Sequence, residues 1–122
     1  MKKTGIYITF PKSNNKQSIY KAKNYKTKVN NECTKVGIVE TTFDSREKSY
    51  ADNFGDIVFE KIAFVDKVYL KDIERLFLAE IKKEFKTVGR SREWFHTTNR
   101  ERLIEIIRQV LDQSNIPCDV VF

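Results

Sequence analysis

The chain predicts an α/β fold: a small three-stranded, mainly antiparallel sheet flanked by helices. Three observations carry that expectation. Two β-branched runs, TGIYITF at 4–10 and KVGIVETT at 35–42, each hold a glycine. A third such run, IVFEKIAFV, lies at 57–65. Two later segments repeat their apolar residues every three or four positions, the period of a helix with one buried face. At 122 residues the chain is one domain over 1–122. A chain of that size buries roughly two-thirds of its unfolded surface without disulfides or metal staples.

The first strand is rich in β-branched and aromatic residues and is stopped by Pro11. Residues 11–34 then carry much lysine and two Asn-Asn pairs, and read as a lysine-rich insertion. It is either an irregular loop or an extra hairpin, with a short strand near 25–29. After the second strand, Asp44 or Ser45 can cap a short helix over 45–53, and Gly55 closes it. Arg46 and Tyr50, four apart, share a face of that helix. Asp66 can cap a long helix through DKVYLKDIERLFLAEIKKEF (66–85), with Val68, Tyr69, Ile73, Leu76, Phe77, Ile81 and Phe85 on its apolar side. Glu74, Glu80 and Glu84 all project toward the edge of that arc, so helical position does not single one out. After a VGRSR turn, Thr98-Asn99-Arg100-Glu101 reads as a capping box opening a last helix over 99–113. The tail CDVVF can form a short final strand.

Composition narrows function. The chain has 23 Lys+Arg against 17 Asp+Glu, a net charge of +6 that favours polyanionic partners. From 11 to 35 there are seven lysines (Lys12, Lys16, Lys21, Lys23, Lys26, Lys28 and Lys35) against one acid, Glu32. Such a segment suits nucleic-acid backbone contacts by counterion release, and equally suits a solvated loop. Cys33 and Cys118 stand 85 positions apart and the single His96 builds no zinc site, so two free thiols in a reducing compartment are expected. No apolar run reaches the ~20 residues of a membrane span. The basic start has too short an apolar run for a signal peptide, so a soluble cytoplasmic protein with no membrane partner is expected.

One ordered set remains. GIY at 5–7 and KVG at 35–37 sit in strands, Arg46 and Tyr50 on the helix that follows, Glu74 inside the next helix, and EWF at 93–95. That series resembles the GIY-YIG nuclease superfamily, and specifically a phage-type branch whose second motif begins with lysine and whose glutamate helix is followed by an EWF turn. The resemblance spans residues 5–111. It implies a metal-dependent endonuclease that hydrolyses DNA phosphodiesters with Mg²⁺ or Mn²⁺. Tyr7 would lie beside the scissile phosphate, Arg46 would stabilise charge on its oxygens, and Tyr50 would bond the phosphate or the attacking water. Glu74 would hold the cation, with Glu80 in reserve. Lys35, in place of the tyrosine that names the second motif, and Asn99, matching a late asparagine, are secondary candidates. The expected partner is double-stranded DNA, bound through Lys12, Lys16, Lys21, Lys23, Lys26 and Lys28 by a monomer or homodimer. The alternative is a non-catalytic DNA- or RNA-binding module that keeps the fold, which the lysine replacement favours.

Overall fold

In the computed structural model of the chain, residues 4–14, 17–19, 27–54, 56–89 and 91–121 are described. Their elements run in the order β1 (Gly5–Pro11), β2 (Gln17–Ile19), β3 (Thr27–Val29), β4 (Cys33–Val39), α1 (Phe43–Phe54), β5 (Ile57–Val65), α2 (Lys67–Lys82), β6 (Trp94–His96), α3 (Arg100–Ser114) and β7 (Cys118–Val120). The three anticipated strands form the centre of the main sheet, but that sheet has five strands, in the order β6-β4-β1-β5-β7, all pairs antiparallel. The three-strand expectation is therefore corrected at both edges. Strands of three residues show no alternating pattern of their own, and they form here because a neighbour's free backbone edge takes them up. The EWF segment is thus an edge strand rather than a turn. Part of the insertion forms a separate hairpin, β2 against β3.

Strand alternation sorts the side chains. Ile6, Ile8, Val36 and Ile62 face α2 and α3, joining Leu70, Ile73, Phe77, Ile81, Leu103 and Ile107 in the principal core. Tyr7, Val39 and Phe43 form a second cluster on the α1 side, with Phe59 and Phe64 packed against it. A bulge lets β5 serve both layers. Between Ile6 and Tyr7 the register slips by one, so Ile62 and Ala63 both enter the principal core. Gly5 makes the slip fit, because a Cβ there would stand 2.0 Å from the Ala63 carbonyl oxygen.

The helix ends adjust the sequence reading. The α1 helix begins at Phe43, and Thr42 supplies its cap by accepting from the Ser45 amide at 3.2 Å, so neither Asp44 nor Ser45 is the cap. The earlier start buries the Phe43 ring. Asp66 caps α2 as expected, accepting from the Val68 amide. Its buried stripe is Leu70, Ile73, Phe77 and Ile81, while Val68, Tyr69 and Leu76 are exposed. The sheet and α3 cover one narrow seam of α2, and apolar residues beyond that seam face outward. Asn99, one residue later than the expected box, caps α3 by accepting from the Arg102 amide, and Asn115 in the left-handed region (φ 56) ends it.

Arg100 ties α3 to the start of β4. Its Nε donates to Thr34 Oγ1 at 2.8 Å and Nη2 to the Asn31 carbonyl at 2.9 Å, while the guanidinium lies 3.5 Å from the Phe10 ring centre. The strand that carries Lys35 is thereby anchored one residue before the lysine.

Candidate active site

Tyr7 is held by its neighbours rather than by solvent. Its ring stacks on Phe59 at 4.7 Å between centroids, and it pairs across the sheet with Gly37. The phenol lies directly over that glycine, since a Cβ at position 37 would be 2.7 Å from Tyr7 Oη. The glycines of the two motifs therefore do different work. Gly5 admits the β5 backbone, and Gly37 admits the Tyr7 ring.

Beside this ring sits a charged group drawn from three elements. Lys35 Nζ is 5.9 Å from the Tyr7 ring centroid and 2.9 Å from Glu93 Oε2. Glu93 precedes β6, and its carbonyl accepts from the Val36 amide at 3.0 Å, so the carboxylate is anchored where the β4–β6 ladder ends. Glu74, half-buried on α2, is in hydrogen-bond contact with Glu93. Burial raises the Glu74 pKa from 4.5 to about 7, and the charge and hydrogen bond of Glu93 push the same way. Lys35 opposes the rise and Glu40 adds to it. Near neutral pH the Glu74 carboxyl thus carries a proton part of the time and donates it to the Glu93 carboxylate, which Lys35 balances.

The other candidates are placed as follows. Arg46 is half-buried on α1, one turn beyond Phe43, whose ring meets Phe59 edge-on, so the helix carries it on the Tyr7 side of the sheet. Among the described residues no ion pair joins it to Glu93 or Glu74. Tyr50 lies one turn further along α1, and its side chain is outside the described set. Asn99 is spent as the α3 cap. Glu80 is exposed and pairs with Lys83 at 2.8 Å, which leaves Glu74 as the α2 carboxylate next to Lys35. Of the insertion lysines, Lys12 and Lys28 are exposed, while Lys16, Lys21, Lys23 and Lys26 lie outside the described residues. Both cysteines are free. The sequence places Glu93 in the EWF motif without singling it out as a site residue. The signal available was its place in EWF, directly before two buried aromatics.

Among the described residues no group of three or more His, Cys, Asp or Glu is set to hold a metal ion. Magnesium asks for less: it keeps several waters and is bound through one or two carboxylates together with substrate phosphate. Glu74, a single carboxylate, fits that smaller requirement in kind, while Glu93 is already paired with Lys35. No helix among the described residues is long and apolar enough to cross a membrane. Compared with protein-family models, with curated proteins and with solved structures, the chain matches none.

Proposed function

We propose that the chain is a metal-dependent endonuclease that hydrolyses DNA phosphodiester bonds. One observation carries this reading: a half-buried carboxyl, Glu74, meets a cationic strand residue, Lys35, through Glu93, beside a buried phenol, Tyr7. A carboxyl, a cation and a phenol are residue types that phosphodiester hydrolysis can use, and they lie in one neighbourhood rather than merely in sequence order. The order of GIY, KVG, Arg46, Tyr50 and Glu74 along the chain supports the same reading.

Each residue has a role in the proposed chemistry. The Tyr7 phenol, fixed by Phe59 and Gly37, orients the phosphate or the attacking water. Arg46 offers a planar fork to two phosphoryl oxygens and keeps its charge throughout. Tyr50 bonds the same group. Lys35, paired to the Glu93 carboxylate, contributes positive charge beside the phosphate. Glu74, with a pKa of about 7, can release its proton as a cation arrives or accept one from water. A bound Mg²⁺ or Mn²⁺ supplies Lewis-acid charge to the phosphate. The lysine-rich hairpin region grips the backbone of double-stranded DNA. With one site per chain, cutting both strands needs a homodimer or two successive nicks by a monomer.

The second reading, a DNA- or RNA-binding module without catalysis, is favoured by the Lys35–Glu93 ion pair, which occupies the place of a phenol with a closed contact. Supercoiled plasmid incubated with the protein in Mg²⁺, Mn²⁺ or EDTA separates the two. Nicking that needs the divalent ion supports the nuclease. Binding that weakens steeply with salt, without nicking, supports the module.

A further inference from the structure

We propose that Glu93 is the positioning residue of this site, holding Lys35 and Glu74 in the arrangement that the reaction uses; this deepens the nuclease reading and rests on it. The residue is built for that task from both sides. Its carbonyl accepts from the Val36 amide at 3.0 Å, and its own amide donates to Ser91 Oγ at 3.2 Å. The next residue, Trp94, is buried, also donates its amide to Ser91 Oγ, and pairs with Lys35 across the ladder. The Glu93 backbone is therefore fixed to the strand that carries the lysine.

Two groups meet that carboxylate. Lys35 Nζ stands 2.9 Å away with its side chain only 12% exposed, an unusual degree of burial for a flexible lysine. Glu74 contacts it from α2. Lys35 and Glu74 already attract each other, and without Glu93 the carboxylate that competes for the lysine is gone. They would then pair directly, withdrawing Glu74 from the cation and Lys35 from the phosphate. Glu93 thus keeps apart two groups whose attraction would close the site, and it does so without touching the substrate.

The test compares Glu93→Gln and Glu93→Asp with the wild-type protein, using plasmid nicking in Mg²⁺ and acylation of Lys35 read by mass spectrometry. Both variants must first melt cooperatively near the wild-type temperature. For Glu93→Gln we expect kcat to fall on the order of 10–100-fold, the usual cost of losing a residue that orients a ligand, with KM for DNA changed less than about twofold. Lys35 acylation should change with it, and Glu93→Asp should recover part of the rate. Wild-type nicking with an undiminished kcat in Glu93→Gln overturns the positioning role and leaves the nuclease reading standing. The same holds for a defect confined to KM. A wild-type protein that does not nick overturns both. Lys35 acylation identical in wild type and Glu93→Gln overturns the claim that Glu93 holds the lysine.

Discussion

Two carboxylate groups, one in the middle of α2 and one just past its C-terminal end, behave differently. Toward the C-terminal end, Glu84 meets Arg102 of α3 at 3.0 Å, and Arg102 also contacts Glu105. Those side chains are 32–59% exposed, and every acid there has a cation within reach of water. Near the middle, Glu74 is half-buried, faces a second carboxylate in Glu93, and shares one lysine with it. The outer group is an interhelical clasp worth little net energy, since solvent screens it. The inner one is partly withdrawn from water, with Lys35 only 12% exposed and Glu74 half-buried, and partial desolvation of charge carries a cost that makes it a candidate site. Both groups set two acids against one cation, so partial burial, rather than charge count or the presence of glutamates, separates a candidate site from a surface network.

The largest expected effect is catalytic. Glu74→Gln should lower metal-dependent nicking by roughly 100- to 1000-fold, the scale of removing one electrostatic stabiliser, with DNA affinity held within about twofold. Glu84→Gln should leave the rate unchanged. Equal losses in the two variants, measured by single-turnover cleavage, would erase the contrast.

Next comes Gly37→Ala. Its Cβ would sit 2.7 Å from Tyr7 Oη, so the ring must move from its stack on Phe59. Overpacking of this kind costs about 1–3 kcal/mol, and urea unfolding should show it. The α2–α3 clasp lies away from the change, and the Glu84–Arg102 coupling in a double-mutant cycle should not shift.

A smaller effect concerns pH. The Glu74 pKa is about 7 in the folded protein against 4.5 ordinarily, so between those values the folded state binds more protons than the unfolded one. Stability attributable to this group is therefore present below pH 4.5, declines as pH rises through 7, and leaves a penalty above it. Glu74→Gln should raise stability at pH 8, on the order of 1 kcal/mol after allowance for partial exposure, and flatten the profile between pH 5 and 8. A variant less stable than wild type at pH 8 would show that the carboxyl is not held against its charge. The smallest effect is at the clasp: Glu84→Gln should cost ~0.5 kcal/mol or less and shrink further in 0.5 M salt, as an exposed pair does.

Much of the scaffold was legible because it depends on local pattern. The three central strands announced themselves by β-branched runs, α2 by its three-four spacing with Asp66 in place, and the tail strand by CDVVF. What escaped depended on partners distant in the chain. Strand β6 exists because Cys33, Thr34 and Lys35 offer it an edge. Val68, Tyr69 and Leu76 satisfied the helical period and yet lie outside the seam that the sheet and α3 cover. The choice among Glu74, Glu80 and Glu84 was open in the sequence because all three lie near one arc. Glu80 pairs locally with Lys83 three residues on, and tertiary packing separates the other two by giving Glu84 to Arg102 and Glu74 to Glu93.

The sequence by itself determined which residue types occur on which kind of element: a phenol and a lysine on strands, a guanidinium on a first helix, a carboxylate on a second. Periodicity and capping are short-range, and they need no knowledge of the remainder of the chain. Only the tertiary structure decided that Lys35 and Glu74 meet through Glu93, and that Gly37 makes room for Tyr7. Burial, the balance of charge around a carboxyl and the clearance over a glycine are properties of several segments at once. They come into being when the ladder between β4 and β6 closes.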